Sequence, residues 1–123
     1  MPPLSAEATA RLAAQAALDK NAEDLVVLNL QGLSSVADFF VVASARSTTQ
    51  ADTIVEAVRA ALKAAGTRPR HQEGSAQSGW LLLDYVDVVV HVFVGVTRHF
   101  YALERLWGDA PLLSVDREAT ARD

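Results

Sequence analysis

Cysteine is absent from the 123-residue chain. Disulfides and thiolate metal centres are therefore excluded, and a reducing, cytoplasmic compartment is the natural expectation. Long apolar runs are missing too: none approaches the roughly 18 residues that mark a membrane-spanning helix. No basic stretch followed by an apolar run opens the chain, so a secretory signal is not expected. Positive charge is scarce, with 11 Lys and Arg against 15 Asp and Glu and a net charge of −4. Proteins that hold nucleic acid through its phosphates draw on clustered Lys and Arg. The basic cluster Arg68, Arg70 and His71 is too small for that, so primary nucleic-acid binding is not expected. An acidic surface suits a basic partner, or simply aids solubility.

Catalytic equipment is equally thin. Without Cys, and with no Ser in a GxSxG turn, nucleophilic catalysis lacks an attacking group. Gly32, Gly74, Gly79 and Gly95 do not form a phosphate-binding loop. His71, His91 and His99 fall on a predicted loop, strand and helix with no HExxH spacing, so no metal site is expected. The most serious enzymatic reading is metal-dependent nucleotidyl transfer, in which Gly74-Ser75 precedes paired carboxylates, Asp84 and Asp87, that share a magnesium ion. The spacing counts against it. DxxD does not place two carboxylates on one strand face unless a turn intervenes, and four residues between Ser75 and Trp80 cannot build a phosphate-presenting helix. The plainer reading of Asp84 and Asp87 is two turn residues at a hairpin end.

What the chain does have is the stretch Trp80 to Phe93, WLLLDYVDVVVHVF, rich in the β-branched and aromatic residues that strands favour. A two-residue turn at Tyr85-Val86 sets Asp84 opposite Asp87, Leu82 opposite Val89 and Trp80 opposite His91. Alternation then divides the hairpin. One face carries Leu81, Leu83, Val88, Val90, Val92 and Val94, with no polar side-chain atom, and should be core under helices. The other carries Trp80, Leu82, Asp84, Asp87, Val89, His91 and Phe93, and is either a second core face or a surface that meets a partner. Tyr-Val tolerates positive φ poorly, so a longer turn through Asp84–Asp87 is the alternative, and a slip of one residue would exchange the faces.

Along the rest of the chain, Ser5 caps an Ala-rich helix that runs to Asp19 or Lys20, ends at Asn21, and carries Leu12 and Ala16 on its inner stripe. Asp24–Leu30 and Asp38–Ser44 read as strands, the second apolar on both faces and so buried on both. Ser47-Thr48-Thr49-Gln50 fits a capping box. The helix behind it carries Ile54, Val55, Val58, Leu62 and Ala65 as one stripe, and Gly66 stops it. Thr67–Glu73 is a polar edge strand and Gly74–Gly79 a loop. A last helix from Thr97 to Trp107 turns Phe100, Leu103 and Trp107 inward and leaves Arg98, Tyr101 and Arg105 nearer solvent. The fold class is α+β: a mixed sheet of about five strands covered by helices. One domain spans residues 1–113, with its core at about 5–110, and residues 114–123 form a disordered tail.

Several linked motifs in this order resemble the ribosomal silencing factor family, also called Iojap-like. They are Ser34-Ser35-Val36-Ala37-Asp38-Phe39, Glu73-Gly74, Trp80, Leu83-Asp84-Tyr85, Asp87-Val88-Val89-Val90-His91, and Arg98 with Phe100-Tyr101, Leu103-Glu104 and Leu106-Trp107. The resemblance covers about Leu25 to Ala110. Two departures are Val86, where the family usually has Gly, and Ala45, where Gly is frequent.

The resemblance implies a nucleotidyltransferase-like fold without catalytic residues, no enzymatic activity and no cofactor. It implies binding to the large ribosomal subunit through its fourteenth L-series protein, which blocks the small subunit and represses translation when nutrients are short, as in stationary phase. It also admits a role in large-subunit maturation and a homodimer of the free protein. An aromatic group beside acids fits an interface with a basic partner. Trp80, Asp84, Tyr85, Asp87, His91 and Arg98 are accordingly the candidate partner-binding residues.

Overall fold

Two helices start and stop where the capping chemistry places them. The Ser5 hydroxyl accepts the Ala8 N–H at 3.0 Å, and α1 runs over Ala6–Asp19. Its end is a Schellman motif on Asn21, whose φ is 63°: Ala22 N–H reaches Ala17 O and Asn21 N–H reaches Leu18 O. The second helix, α2 (Thr48–Ala64), begins at Ser47, which accepts the Gln50 N–H at 3.1 Å. It ends on Gly66 in the same motif, with φ 90°. Ala51, Ile54, Val55, Val58 and Leu62 form its buried stripe, while Ala65 is the exposed cap residue.

The computed structural model describes residues 4–95 and 110–115. Within them five strands follow: β1 (Glu23–Asn29), β2 (Phe39–Ala45), β3 (His71–Ser75), β4 (Trp80–Asp84) and β5 (Val88–Val94). They form one mixed sheet in the order β1-β2-β5-β4-β3, with β2 and β5 parallel and the other pairs antiparallel. The central pair explains the two most apolar stretches of the sequence: every residue of β2, and every residue of β5 but Val94, is buried. Both helices cover one face, over Val27, Phe39, Val41, Leu81, Leu83, Val88, Val90 and Val92. On α1 Ala10, Ala13, Ala14 and Ala17, at i, i+3, i+4 and i+7, are fully buried; of the two residues the sequence places on the inner stripe, Ala16 is buried with them and Leu12 packs partly buried against the same core. The alanine methyls let α1 lie close against α2 and the sheet.

Opposite, Leu28, Leu30, Phe40, Val42, Val89 and Phe93 form a second buried cluster, with Trp80 and Leu82 partly buried at its margin. The mixed hairpin face is thus largely core. Beyond β1, Pro111–Leu113 lies along the sheet edge: Asn29 N–H donates to Pro111 O and Leu113 N–H to Val27 O, both at 2.8 Å. At the start of the expected tail, Arg11 donates to Ser114 O and Val115 packs against the helical core. The helix expected over Thr97–Trp107, and the tail from residue 116 onward, lie outside the described residues.

Candidate partner-binding site

The hairpin register differs by two residues from the two-residue-turn reading. Trp80 pairs with Phe93, Leu82 with His91 and Asp84 with Val89. Because the shift is even, each side chain keeps the face expected of it. Asp87 is the exception, since it belongs to no strand. The turn spans Tyr85, Val86 and Asp87, and its hydrogen bonds explain why. Asp84 Oδ1 accepts the Val86 N–H at 2.7 Å. Tyr85 O accepts the Asp87 N–H at 3.0 Å, and Val88 O accepts the Tyr85 N–H at 2.8 Å. Asp87 O meanwhile accepts from Asp38 and Phe39, which ties the turn to the start of β2. Val86 is held at φ 76° inside an i→i+2 turn, a strained conformation for a β-branched residue.

Trp80 lies partly exposed on the face away from the helices, stacked on Phe93 with ring centroids 5.3 Å apart. Its indole N–H donates to His91 Nδ1 at 3.1 Å. The two residues are diagonal rather than directly opposed, and they still meet. An indole can only donate, so Nδ1 must be the bare nitrogen and the imidazole proton sits on Nε2. That Nε2–H is buried and finds no hydrogen-bond partner among the described residues. Burial pushes the His91 pKa down to about 4, so the ring is neutral and serves as a fixed acceptor that orients Trp80. Phe40 closes on its other side, edge-on at 4.6 Å.

Beside Trp80, the sheet surface holds an open depression of about 230 Å³ lined by Glu73, Gly74, Ser78, Trp80 and Leu82. Gly74 lets β3 approach β4 closely beside it: its φ is 81°, and a Cβ there would lie 2.0 Å from Trp80 O. Ser75 and Ser78 close the adjoining turn with reciprocal bonds, Ser78 N–H to Ser75 Oγ at 3.1 Å and Ser78 Oγ–H to Ser75 O at 2.8 Å. Gly74-Ser75 is therefore strand and turn chemistry, with the hydroxyls used internally. Sequence reasoning meets Gly74 in the disfavoured nucleotidyl-transfer reading and in the Glu73-Gly74 motif, and makes neither it nor Leu82 a partner-binding candidate. The sequence reading ends the edge strand at Glu73 and puts Gly74 in the loop after it, whereas β3 runs His71–Ser75, so Gly74 lies inside the strand, where glycine marks a bulge or a close backbone approach.

At the far end of β4, Asp84 Oδ2 accepts from Arg70 at 2.7 Å. Burial alone would raise its pKa, but the Arg70 bond and charge, the Val86 N–H and nearby His71 outweigh burial and hold it below the usual value. With one oxygen on Arg70 and the other on Val86 N–H, Asp84 is committed to internal partners, whereas Asp87 is exposed in the turn. On the neighbouring edge strand His71 pairs with Glu73 at 2.8 Å.

Of the candidate residues, then, Trp80, Asp84 and Asp87 lie at or near the surface and His91 is buried directly behind Trp80. Tyr85 turns to the opposite face. It is buried in the helical core, its hydroxyl has no partner among the described residues, and burial raises its pKa to about 12. Arg98 lies outside the described residues. Two exposed apolar side chains lie on the segments joined by the Asp38–Asp87 backbone bond, Val36 at 67% exposure and Val86 at 47%. In the sequence Val36 stands in a Gly- and Ser-punctuated connection and within the Ser34–Phe39 family motif, and it is not among the candidate partner-binding residues.

Comparison with known proteins gives a consistent picture. The profile of the family described as "Ribosomal silencing factor during starvation" matches residues 3–123. The chain is 41% identical over 106 residues to the ribosomal silencing factor RsfS of Bacillus subtilis, which covers 86% of this chain and 90% of that protein. It is 34% identical over 100 residues to the chloroplastic protein Iojap of Zea mays, covering 79% of this chain and 42% of that one. Among solved structures, a Chromobacterium violaceum protein superposes with a TM-score of 0.81 at 32% identity, covering 85% of this chain and 88% of that one. A Bacillus halodurans protein superposes at 0.73 and 38%, covering 85% and 94%.

Proposed function

This chain belongs to the ribosomal silencing factor family, and from that premise we propose that it binds the large ribosomal subunit through the fourteenth L-series ribosomal protein and keeps the small subunit from joining. Translation falls as a result, under nutrient limitation, in the cytoplasm. The action is steric and not enzymatic. A small wedge seated on one ribosomal protein prevents two large bodies from docking without any bond being made or broken. A standard interface buries about 800 Å² per partner, within reach of the Trp80 face, the β3 edge and the turn.

The observation that carries this reading is Trp80: a partly exposed indole, fixed by His91 and Phe93 at the edge of an open depression, with Asp87 exposed at the far end of the hairpin. A rigid aromatic anchor with an exposed carboxylate farther along the same hairpin is what a basic protein surface would recognise. The magnesium-sharing alternative is disfavoured by the geometry of Asp84, whose oxygens are taken by Arg70 and a backbone N–H. Tyr85 and His91 then act from behind the surface: His91 orients Trp80, and Tyr85 anchors the turn in the core.

Co-sedimentation with isolated large and small subunits tests the reading. Wild-type protein should pellet with the large subunit alone. Trp80→Ala should weaken that binding by about 2 kcal/mol or more, roughly thirtyfold, and Asp87→Asn should chiefly slow association. Thermal unfolding of each variant is the control. Binding to neither subunit, or a loss in Trp80→Ala fully explained by unfolding, would overturn the assignment.

A further inference from the structure

The sequence shows Arg68, Arg70 and His71 as a basic cluster too small to hold nucleic acid. The fold changes its membership. Arg70 is drawn to Asp84 and His71 to Glu73, on the Trp80 side of the sheet. Arg68 remains, and α2 brings Arg59 and Lys63 to it from one turn to the next. The three line an open groove of about 470 Å³ together with Glu56, Ala60 and Pro69. Arg59 bonds only a neutral group, Gln72 Oε1 at 2.6 Å, and none of the three joins an ion pair among the described residues. By contrast Arg11, Arg46 and Arg70 are each matched to a carboxylate. Glu56 is the one acid on the lining, which leaves a formal surplus of two positive charges on a chain whose net charge is −4. Lys63 also offsets the carbonyl end of α2, but Arg59 and Arg68 have no such duty.

The position of the groove gives it meaning. Gln72 of β3 points to α2 and holds Arg59, whereas Glu73, the next residue, lines the Trp80 depression on the opposite face. The groove and the depression therefore flank the same exposed edge strand. A body seated on Trp80 brings its surroundings past β3 to the three cations. On a ribosomal subunit the surroundings of a basic protein are chiefly RNA, and an acidic chain can approach that polyanion only with its positive side forward.

We propose that Arg59, Lys63 and Arg68 form a second footing that grips the phosphodiester backbone of large-subunit RNA, beside the protein contact made through Trp80. This rests on the large-subunit reading above. The grip carries no sequence information. It fixes the orientation of the wedge and makes binding salt-dependent.

The test compares two probes, the isolated fourteenth L-series protein and the intact large subunit. For a variant with Arg59→Gln, Lys63→Gln and Arg68→Gln, affinity for the isolated protein should stay at the wild-type value. Affinity for the subunit should fall tenfold or more at moderate salt. The slope of log affinity against log salt should shrink by about 0.7–0.9 for each phosphate no longer neutralised. A variant that matches wild type on both probes, or loses both equally, overturns the groove alone. Wild-type protein that binds neither probe overturns the large-subunit reading with it. Because the chain has no cysteine, Ala60→Cys carrying a photocrosslinker identifies the neighbour while sparing the three cations. Crosslinks to RNA are the expected result; crosslinks confined to protein overturn the proposal.

Discussion

Val86 is the most strained residue described in the chain, a β-branched side chain at φ 76° in a turn that asks for glycine. Relief of that strain outweighs the extra freedom a glycine gains on unfolding, so Val86→Gly should stabilise the fold by about 1 kcal/mol. A denaturation midpoint that moves down would show that Val86 makes compensating contacts. His91 sets a pH limit. Its pKa is about 4 when folded against 6.5 for a free imidazole, so the unfolded chain binds the extra proton first. The stability this group contributes is complete above pH 6.5 and is lost as pH falls toward 4, about 3 kcal/mol in all. His91→Gln keeps an acceptor for the Trp80 indole and should flatten that part of the stability profile. An unchanged slope would assign the acid sensitivity to another group. The same protonation would turn Nδ1 into a donor facing a donor, so Trp80 should become mobile in the same pH window, visible in its fluorescence.

Among the elements, the ones carried by local chemistry were readable in advance: both caps, both C-terminal stops, the doubly apolar β2 and the polar edge β3. Periodicity placed α2 well because its stripe is made of large residues. On α1 it reached Ala16 and the partly buried Leu12 but not the fully buried Ala10, Ala13, Ala14 and Ala17, because alanine gives little hydrophobic contrast. The hairpin faces were legible because any even register preserves them. The register itself was not, since it depends on Asp87 being pulled out by Asp38 and Phe39 from a strand distant in sequence. Of the site, Trp80 could be found from its place in the strand pattern. That His91 is its buried support and Tyr85 a core residue follows only from the packing of the sheet. Gly74 joins these points. A Cβ there meets Trp80 O at 2.0 Å with φ at 81°, so Gly74→Ala should cost at least about 2 kcal/mol and loosen β3 from β4. Hydrogen exchange of the β3–β4 amides would report it. Protection equal to wild type would mean the edge strand absorbs the methyl group without moving Trp80.

For the molecule as a whole, a steric wedge and an allosteric inhibitor predict different concentration dependences. A wedge occupies a surface that is buried once the subunits join, so it and the small subunit exclude one another. Each then binds the large subunit at the other's expense, and the shift follows mass action. The factor concentration that halves joining should rise about tenfold when the small-subunit concentration is raised tenfold above its own dissociation constant. Order of addition should matter for rate and not for endpoint: factor added first blocks at once, whereas factor added to joined particles acts only as fast as they dissociate. Light scattering of purified subunits measures both. A half-inhibitory concentration that does not depend on the small subunit would mean the factor and small subunit bind together, and the Trp80 face would then work by changing the large subunit instead of covering it. The groove makes a further demand on the same assay. If the three cations orient the wedge, the Arg59, Lys63 and Arg68 variant held at saturating concentration should still occupy the large subunit but exclude the small one less completely, because a wedge pivoting on one footing covers less of the surface.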